Sequence, residues 1–400
     1  MTFDVLIIGG GPAGATTAIL LAEAGWSVGL IEKKEFPRKK VCGEFISATS
    51  LPLLQILGLE KFYFENGGPE VTKIGLYAGD VILTANMPYM NSTTTPYGRA
   101  LGREYLDTAL VSKARLNGVT IWQPCEAMQL QHKNGLFFCT VKKEGRTSEI
   151  IRSLRVVIAN GSWGKKIDSS DGKIHKAHDL LAFKAHFNNC NLPKNLMPLL
   201  AFPGGYGGLV HTTPQQVALS CCIRRDTLKN LRLKSPDLPA GEAVFHYIQS
   251  HCRGVRDVFD HAQNEDKWLA AGPIQPGIRS CYKNGVFFVG NIAGEAHPVV
   301  AEGISMAMQS AWLLSQSLIQ FNIKQNKNLN DAGKYYTQQW RKYFSHRIHA
   351  SIFFAHLAML KPWGKALLLP IIQQFPVLLS LGAKLSGKIQ HVVPIDNRNI

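Results

Sequence analysis

Phe3 to Ile8 is an almost unbroken apolar run, and Gly9-Gly10-Gly11-Pro12-Ala13-Gly14 follows it directly. Such a run reads as a strand buried on both faces of a parallel sheet. A helix is expected from about Pro12 to Ala24, stopped by Gly25, and a second strand from Ser27 to Ile31. In that setting each glycine of the G-x-G-x-x-G pattern has a task. Gly9 permits the tight strand-to-helix turn, Gly11 lets backbone approach a pyrophosphate, and Gly14 lets the helix lie close to the strand. Pro12 and Ala13 stand at the helix N-terminus, whose free N–H groups and partial positive charge favour phosphates. Glu32 ends the second strand, where a carboxylate accepts from ribose hydroxyls and disfavours a 2′-phosphate; Lys33 beside it belongs to the same end of the site. The chain thus opens as a dinucleotide-binding βαβ unit of a doubly wound sheet.

A second segment lies far downstream. Val286 to Val289 reads as a short buried strand, a small-residue loop follows Gly290, and a helix is expected from Gly303 to Gln320. The small residues Gly303, Ser305 and Ala307 at that helix start allow a flat ring to approach the backbone, with the positive helix end facing it. A simple NAD dehydrogenase has no need of such a segment.

With these residues in view, the chain resembles the FAD-dependent monooxygenase superfamily typified by para-hydroxybenzoate hydroxylase, and within it the geranylgeranyl reductase-like and halogenase-like branches, nearest the former. The resemblance covers roughly residues 1 to 320. It rests on the glycine motif, on Phe36-Pro37-Arg38-Lys39-Lys40-Val41-Cys42-Gly43-Glu44, on Gly102-Arg103-Glu104-Tyr105-Leu106-Asp107, and on the Gly290 segment. It implies bound FAD, with NAD(P)H as a transient reductant, since no second G-x-G-x-x-G unit is present. It implies further that Arg103 contacts the pyrophosphate or adenosine side and that Ala127 lies near the adenine. Gly290 and Asn291 would sit at the ribityl chain and pyrophosphate, and Cys42, Gly43, Pro298, Gly303 and Ile304 near the flavin. Where the family usually has Asp, this chain has Asn291, and a negative charge is lost. Where many members carry Asp-Gly, it has Asn160-Gly161, in a segment associated with flavin and NAD(P)H contacts.

Two chemistries fit that resemblance: a monooxygenase acting on an apolar or aromatic compound, which we favour, and a flavin ene-reductase of a lipid or isoprenoid. A non-catalytic flavin-binding or membrane-surface scaffold is the reading from another class. The reductase pattern P-x-x-Y-x-W-x-F-P is met only by Pro203 and Tyr206, and the W-x-W-x-I-P signature of tryptophan halogenases is absent, so halogenation is not expected. Catalytic candidates are Cys42, Tyr206 and His297. Each has a plain alternative: a small packing residue for Cys42, core or rim packing for Tyr206, an ordinary loop histidine for His297.

The expected architecture is α/β: a doubly wound, Rossmann-like FAD-binding domain, an inserted and mainly antiparallel β substrate domain, and a helical C-terminus. The FAD-binding part is assigned to residues 1–75, 100–170 and 275–325, the substrate part to 76–99 and 171–274, and the helical region to 326–400. Further strands are expected at Leu136–Lys142, Ile150–Ile158, Leu181–Phe187, Gly207–Thr212 and Val217–Ile223. The net charge of +16 suggests acidic partners. No RNA-binding or zinc-finger pattern is present, so neither nucleic acid nor a metal is expected. From Arg341 to Ile400 eight Lys or Arg face one Asp, Asp396, among many apolar residues. These helices either pack back on the main domain or touch an anionic membrane. A cytoplasmic location, with peripheral membrane contact as the open alternative, and a small apolar substrate are the expectation.

Overall fold

Val5–Ile8 and Val28–Ile31 are fully buried strands paired in parallel, Val5 opposite Val28 and Ile8 opposite Ile31. They are the centre of a six-stranded sheet in a computed structural model that describes residues 1–89, 96–143, 148–162, 176–264, 267–322 and 329–394. The sheet runs Tyr282–Lys283, Val286–Phe288, Val156–Ile158, Val5–Ile8, Val28–Ile31, Thr120–Trp122, and every pairing but the edge hairpin is parallel. Helices Pro12–Glu23, Arg103–Leu116 and Gly303–Gln320 cover it. Their apolar faces and the sheet form one core that includes Ile7, Leu30, Leu110 and Leu314. Each such side chain contributes about 1.5–3 kcal/mol on burial.

Gly9 stands at φ +113°, and a Cβ on Gly14 would overlap the Gly9 carbonyl and lie 3.0 Å from the Ala159 methyl. The first turn of Pro12–Glu23 therefore runs against the strand ends with no room for a side chain.

Ile150–Ile158, expected as one strand, is two. Glu149–Ser153 belongs to a separate four-stranded sheet with Thr2–Phe3, Leu136–Lys142 and Glu126–Lys133, whereas Val156–Ile158 joins the parallel sheet. The break falls at Leu154–Arg155, where the Leu154 N–H donates to Phe3 O (2.9 Å) and Arg155 O accepts from Leu6 N–H (2.9 Å), so the chain changes sheets.

The third sheet has eight strands. Leu180–Asn188, Gln216–Arg224, Gly205–His211 and Leu196–Phe202 form its antiparallel centre, and Lys73–Ala78 pairs in parallel with Leu196–Phe202. One face packs on helices Ala240–His251 and Arg253–Val258 through Phe187, Leu200 and Ile248. The other face carries Leu76, Ala182, Ala201, Tyr206 and Cys222 toward the long helix Leu329–Ala358 and the helix Pro362–Gln374. The α/β architecture with a helical C-terminus is the one expected from the sequence. Lys73–Ala78 and Leu196–Phe202 were not anticipated: the first sits across residues 75 and 76, and the second is interrupted by Pro198.

Gly14→Ala is expected to destabilise the fold by about 1–3 kcal/mol through overpacking. It should lower the melting temperature together with the FAD content of purified protein; an unchanged melting temperature and full FAD content would contradict the close packing described here.

Candidate active site

The cavity between the parallel sheet, the eight-stranded sheet and the C-terminal helices has a volume of about 1050 Å³. That is at the upper end of ligand pockets, roughly 300–1000 Å³. One end is the glycine turn. Gly11 caps the helix, Pro12 is its first residue, and Gly11 O accepts from Ala15 N–H (2.9 Å), leaving the first N–H groups open to the cavity. Glu32 clamps this turn from below: Oε2 accepts from Gly10 N–H and Oε1 from Lys34 N–H, both at 2.8 Å. Lys33, at the rim, is paired with Glu126 at 2.7 Å.

Beside the turn is a cluster of cations. Arg103, on the first turn of Arg103–Leu116, donates to both oxygens of Asp107 (2.7 and 2.6 Å). Arg38 reaches Glu32 at 3.7 Å and Asp107 at 3.9 Å. Burial, then repulsion from Arg103 and Arg38, pushes the Lys40 ammonium down to about 8. Arg38, Lys40 and Arg103 thus gather beside a helix N-terminus, an arrangement that suits a diphosphate.

At the other end, Gly290 N–H donates to Ser310 Oγ (3.0 Å). Asn291 Nδ2 donates to Ser162 Oγ (3.0 Å) and to Glu295 Oε1 (3.2 Å), and Asn291 O accepts from Arg279. Burial raises the Glu295 carboxyl, with Ser162 and Arg279 working against it. A carboxylate therefore stands one hydrogen bond from Asn291, and an Asp in that position would set two carboxylates together. Gly303, Ile304 and Ala307 at the start of Gly303–Gln320 face the cavity, whereas the Ser305 hydroxyl is committed to Ser47 (3.1 Å). Glu302, just before that helix, accepts from Lys388 Nζ (2.9 Å) and Ser47 Oγ (3.2 Å), tying the C-terminal segment to this end of the site.

All the residues expected at the cofactor line the cavity except Gly14, which faces the turn behind it. Of the three catalytic candidates, Tyr206 and Cys42 line it, and His297 does not. His297 lies behind Tyr206, its Nδ1 3.0 Å from the phenol oxygen. Burial, then the neighbouring His356, pushes the His297 imidazole down to about 4, so it is neutral at pH 7. Burial and Cys222 push the Tyr206 phenol well above its usual range. Cys42 stands apart from this pair, with Glu44 N–H donating to its sulfur (3.4 Å) and Arg103 beside it.

Sequence reading did not single out Glu44, Lys184 and His186. Glu44 is fully buried at φ +60°, a conformation that costs a non-glycine residue about 1–3 kcal/mol. Its Oε1 pairs with Lys184 and accepts from Arg103 N–H (3.2 Å), and Oε2 lies 3.2 Å from His186 Nε2. Burial alone would raise this carboxyl, but Lys184, then His186, hold it at about 2. The one available signal was the pair Lys184 and His186 at spacing two within an apolar strand, which puts both on one face.

A family model described as "FAD binding domain" matches residues 2–331. Conditioned medium factor receptor 1 of Dictyostelium discoideum is 25% identical over 372 residues, covering 88% of this chain and 69% of that protein. A tryptophan 2-halogenase of Chondromyces crocatus is 22% identical over 358 residues, covering 85% of this chain and 65% of its own length. A digeranylgeranylglycerophospholipid reductase of Methanocaldococcus jannaschii matches at 22% over 348 residues, covering 85% of this chain and 82% of that protein. Among solved structures, the flavin-dependent brominase Bmp2 superposes with a TM-score of 0.78 at 18% identity, covering 97% of this chain and 94% of that one. PqsL of Pseudomonas aeruginosa does so at 0.67 and 17%, covering 90% and 96%. The fold is thus shared with halogenases and a monooxygenase, and the reductase branch is present only at a distance.

If Lys40 meets a diphosphate, FAD affinity should be constant below about pH 8 and fall as pH rises through that value, because the neutral amine cannot bind the anion. Lys40→Gln should weaken FAD about ten- to a hundredfold and abolish this pH dependence. Fluorescence titration of FAD at several pH values checks both. Separately, Lys184→Met leaves the Glu44 carboxylate short of a buried partner and should cost about 3–5 kcal/mol in urea unfolding.

Proposed function

The chain belongs to the FAD binding domain family, and on that premise we propose that it is a monooxygenase hydroxylating an apolar or aromatic substrate, with NADH or NADPH as transient reductant. That it is an FAD-dependent oxidoreductase follows from the family and its relatives. Bound FAD supplies the redox chemistry of its isoalloxazine ring. The protein supplies the rest. The glycine turn and the Arg38, Lys40 and Arg103 cluster would bind the diphosphate, and the Asn291–Glu295 pair would orient the ribityl end. The chamber beyond, walled by Leu76, Leu199, Ala201, Ile274, Leu369 and Leu379, excludes water and holds apolar substrate.

The observation that carries the hydroxylase reading is Tyr206 on this apolar wall, backed by His297. The phenol can pass a proton from a substrate hydroxyl to His297 Nδ1 as the imidazole releases its own Nε2 proton, so that neither side chain becomes charged. Removing that proton enriches an aromatic ring in electrons, which is what transfer of an oxygen atom to the ring requires. His297 is here a positioning and relay residue behind Tyr206. The second reading, an ene-reductase of a lipid or isoprenoid, is favoured by the aliphatic character of the same wall. A cytoplasmic location belongs to the same proposal, supported by eight free cysteines, which suit a reducing compartment.

Incubation of FAD-loaded protein with NADPH, air and an alkylphenol tests the assignment by product mass. A product that gains one oxygen atom is expected, and Tyr206→Phe should lower kcat about a hundredfold with KM nearly unchanged. With an alkenyl chain on the probe, a gain of two hydrogens and no oxygen would overturn hydroxylation in favour of the reductase. Incorporation of chlorine or bromine when halide is added would overturn both.

A further inference from the structure

We propose that the helices Pro362–Gln374 and Val377–Leu385 dock in the plane of an anionic phospholipid bilayer, and that substrate enters the chamber from the lipid side. The second half rests on reading the chamber as the substrate site; the docking does not.

Trp363, Leu367 and Ile371 recur every fourth residue on one helix and are 69%, 70% and 54% exposed. Val377, Leu381 and Leu385 repeat the pattern on the next at 67%, 50% and 57%, with Phe375 at the bend between the two helices. These form two outward apolar stripes. Among the described residues, nine of the nineteen large apolar ones that are exposed lie between Phe353 and Leu385. A patch so concentrated marks an interaction surface, whereas single exposed apolar residues are ordinary. The opposite sides of the same helices already pack on the eight-stranded sheet through Leu369, Ile372 and Leu379. The stripes are therefore not a core face left unturned.

Charge identifies the occupant. No Asp or Glu occurs between Asp331 and Asp396, and Lys361 and Lys384 are exposed at the edges of the stripes. A second copy of this chain would bring the same lysines together with no acid to meet them, whereas anionic headgroups complement them. Among the described residues no single helix is long and apolar enough to cross a membrane; Leu329–Ala358 with Trp363–Gln374 passes as a bent pair by length and composition, but the packing of Leu369, Ile372 and Leu379 on the sheet would keep these helices in the interface, with Trp363 at headgroup depth. Leu368, Leu369, Ile372, Leu378 and Leu379 of these helices line the chamber, and so do the exposed Leu381 and Leu385 of the second stripe, which therefore stand at its mouth. The docked face is thus continuous with the chamber wall, and an apolar compound dissolved in the bilayer has a route between them.

The test is sedimentation of full-length, FAD-loaded protein with vesicles of phosphatidylcholine, with or without phosphatidylglycerol, at low and high salt. Binding to the phosphatidylglycerol vesicles is expected, weaker at high salt and on pure phosphatidylcholine. The triple variant Trp363→Gln, Leu367→Gln, Ile371→Gln should lose about tenfold or more in binding while keeping wild-type flavin content. Lys361→Gln with Lys384→Gln should remove the preference for the anionic vesicles. Wild-type protein that stays in the supernatant with both vesicles would overturn the proposal. So would concentration-dependent dimerisation, abolished by the triple variant, in place of vesicle binding. Vesicle binding by a protein that fails to hydroxylate the alkylphenol would sink the reaction reading and still support the docking.

Discussion

A single buried carboxylate joins the two halves of this molecule. Glu44 leaves the loop that follows the nucleotide-binding unit, and Lys184 and His186 reach it from the strand Leu180–Asn188 of the eight-stranded sheet. Its third partner is the backbone N–H of Arg103, the first residue of the helix Arg103–Leu116. The position of the sheet, the loop holding Cys42 and the orientation of Arg103 are thus set by one group. An ion pair buried this deeply adds little net stability, because desolvation offsets the attraction. What it adds is specificity: breaking the pair would leave a charge buried and unpaired, which favours one arrangement of the two sheets. The left-handed backbone at Glu44 is tolerated because these contacts hold it.

The C-terminal helices are bound into the same arrangement. Lys388 donates to both Val300 O and Glu302, and Arg347, on the long helix, donates to Gln309 Oε1 and Gln390 O. Both links converge on the helix Gly303–Gln320, whose first turn faces the ring end of the cavity. The helices that close the chamber are therefore fixed at one end by buried polar bonds to the flavin-binding unit, and at the other they present apolar residues outward. The lid of the chamber and its outer surface are a single structural element.

The sequence made the nucleotide-binding end legible because steric rules leave little choice there: only glycine fits at Gly9 and Gly14, and a buried parallel strand requires an apolar run. Relations across long sequence distances were not legible. Asn291 read as a lost charge, yet the structure sets Glu295 beside it, a pairing that depends on how the loop turns after Gly290. Tyr206 and His297 were candidates on separate grounds. Their hydrogen bond, across 91 residues, exists because the strand Gly205–His211 packs against the loop that precedes Pro298. Ile150–Ile158 read as one strand because the apolar pattern does not break where the chain changes sheets. The strand Glu126–Lys133 escaped notice because it is mostly exposed and polar, with no alternation to betray it.

The account stands on FAD seated at the glycine turn and reduced from outside. The measurement that tests this most directly is the absorbance spectrum of purified protein reconstituted with FAD, recorded anaerobically before and after NADH or NADPH and again in air. The account predicts a flavin spectrum that stays with the protein through gel filtration, bleaches with reductant and returns with oxygen. Protein that retains no flavin after reconstitution with excess FAD would contradict it, whatever the cavity's shape.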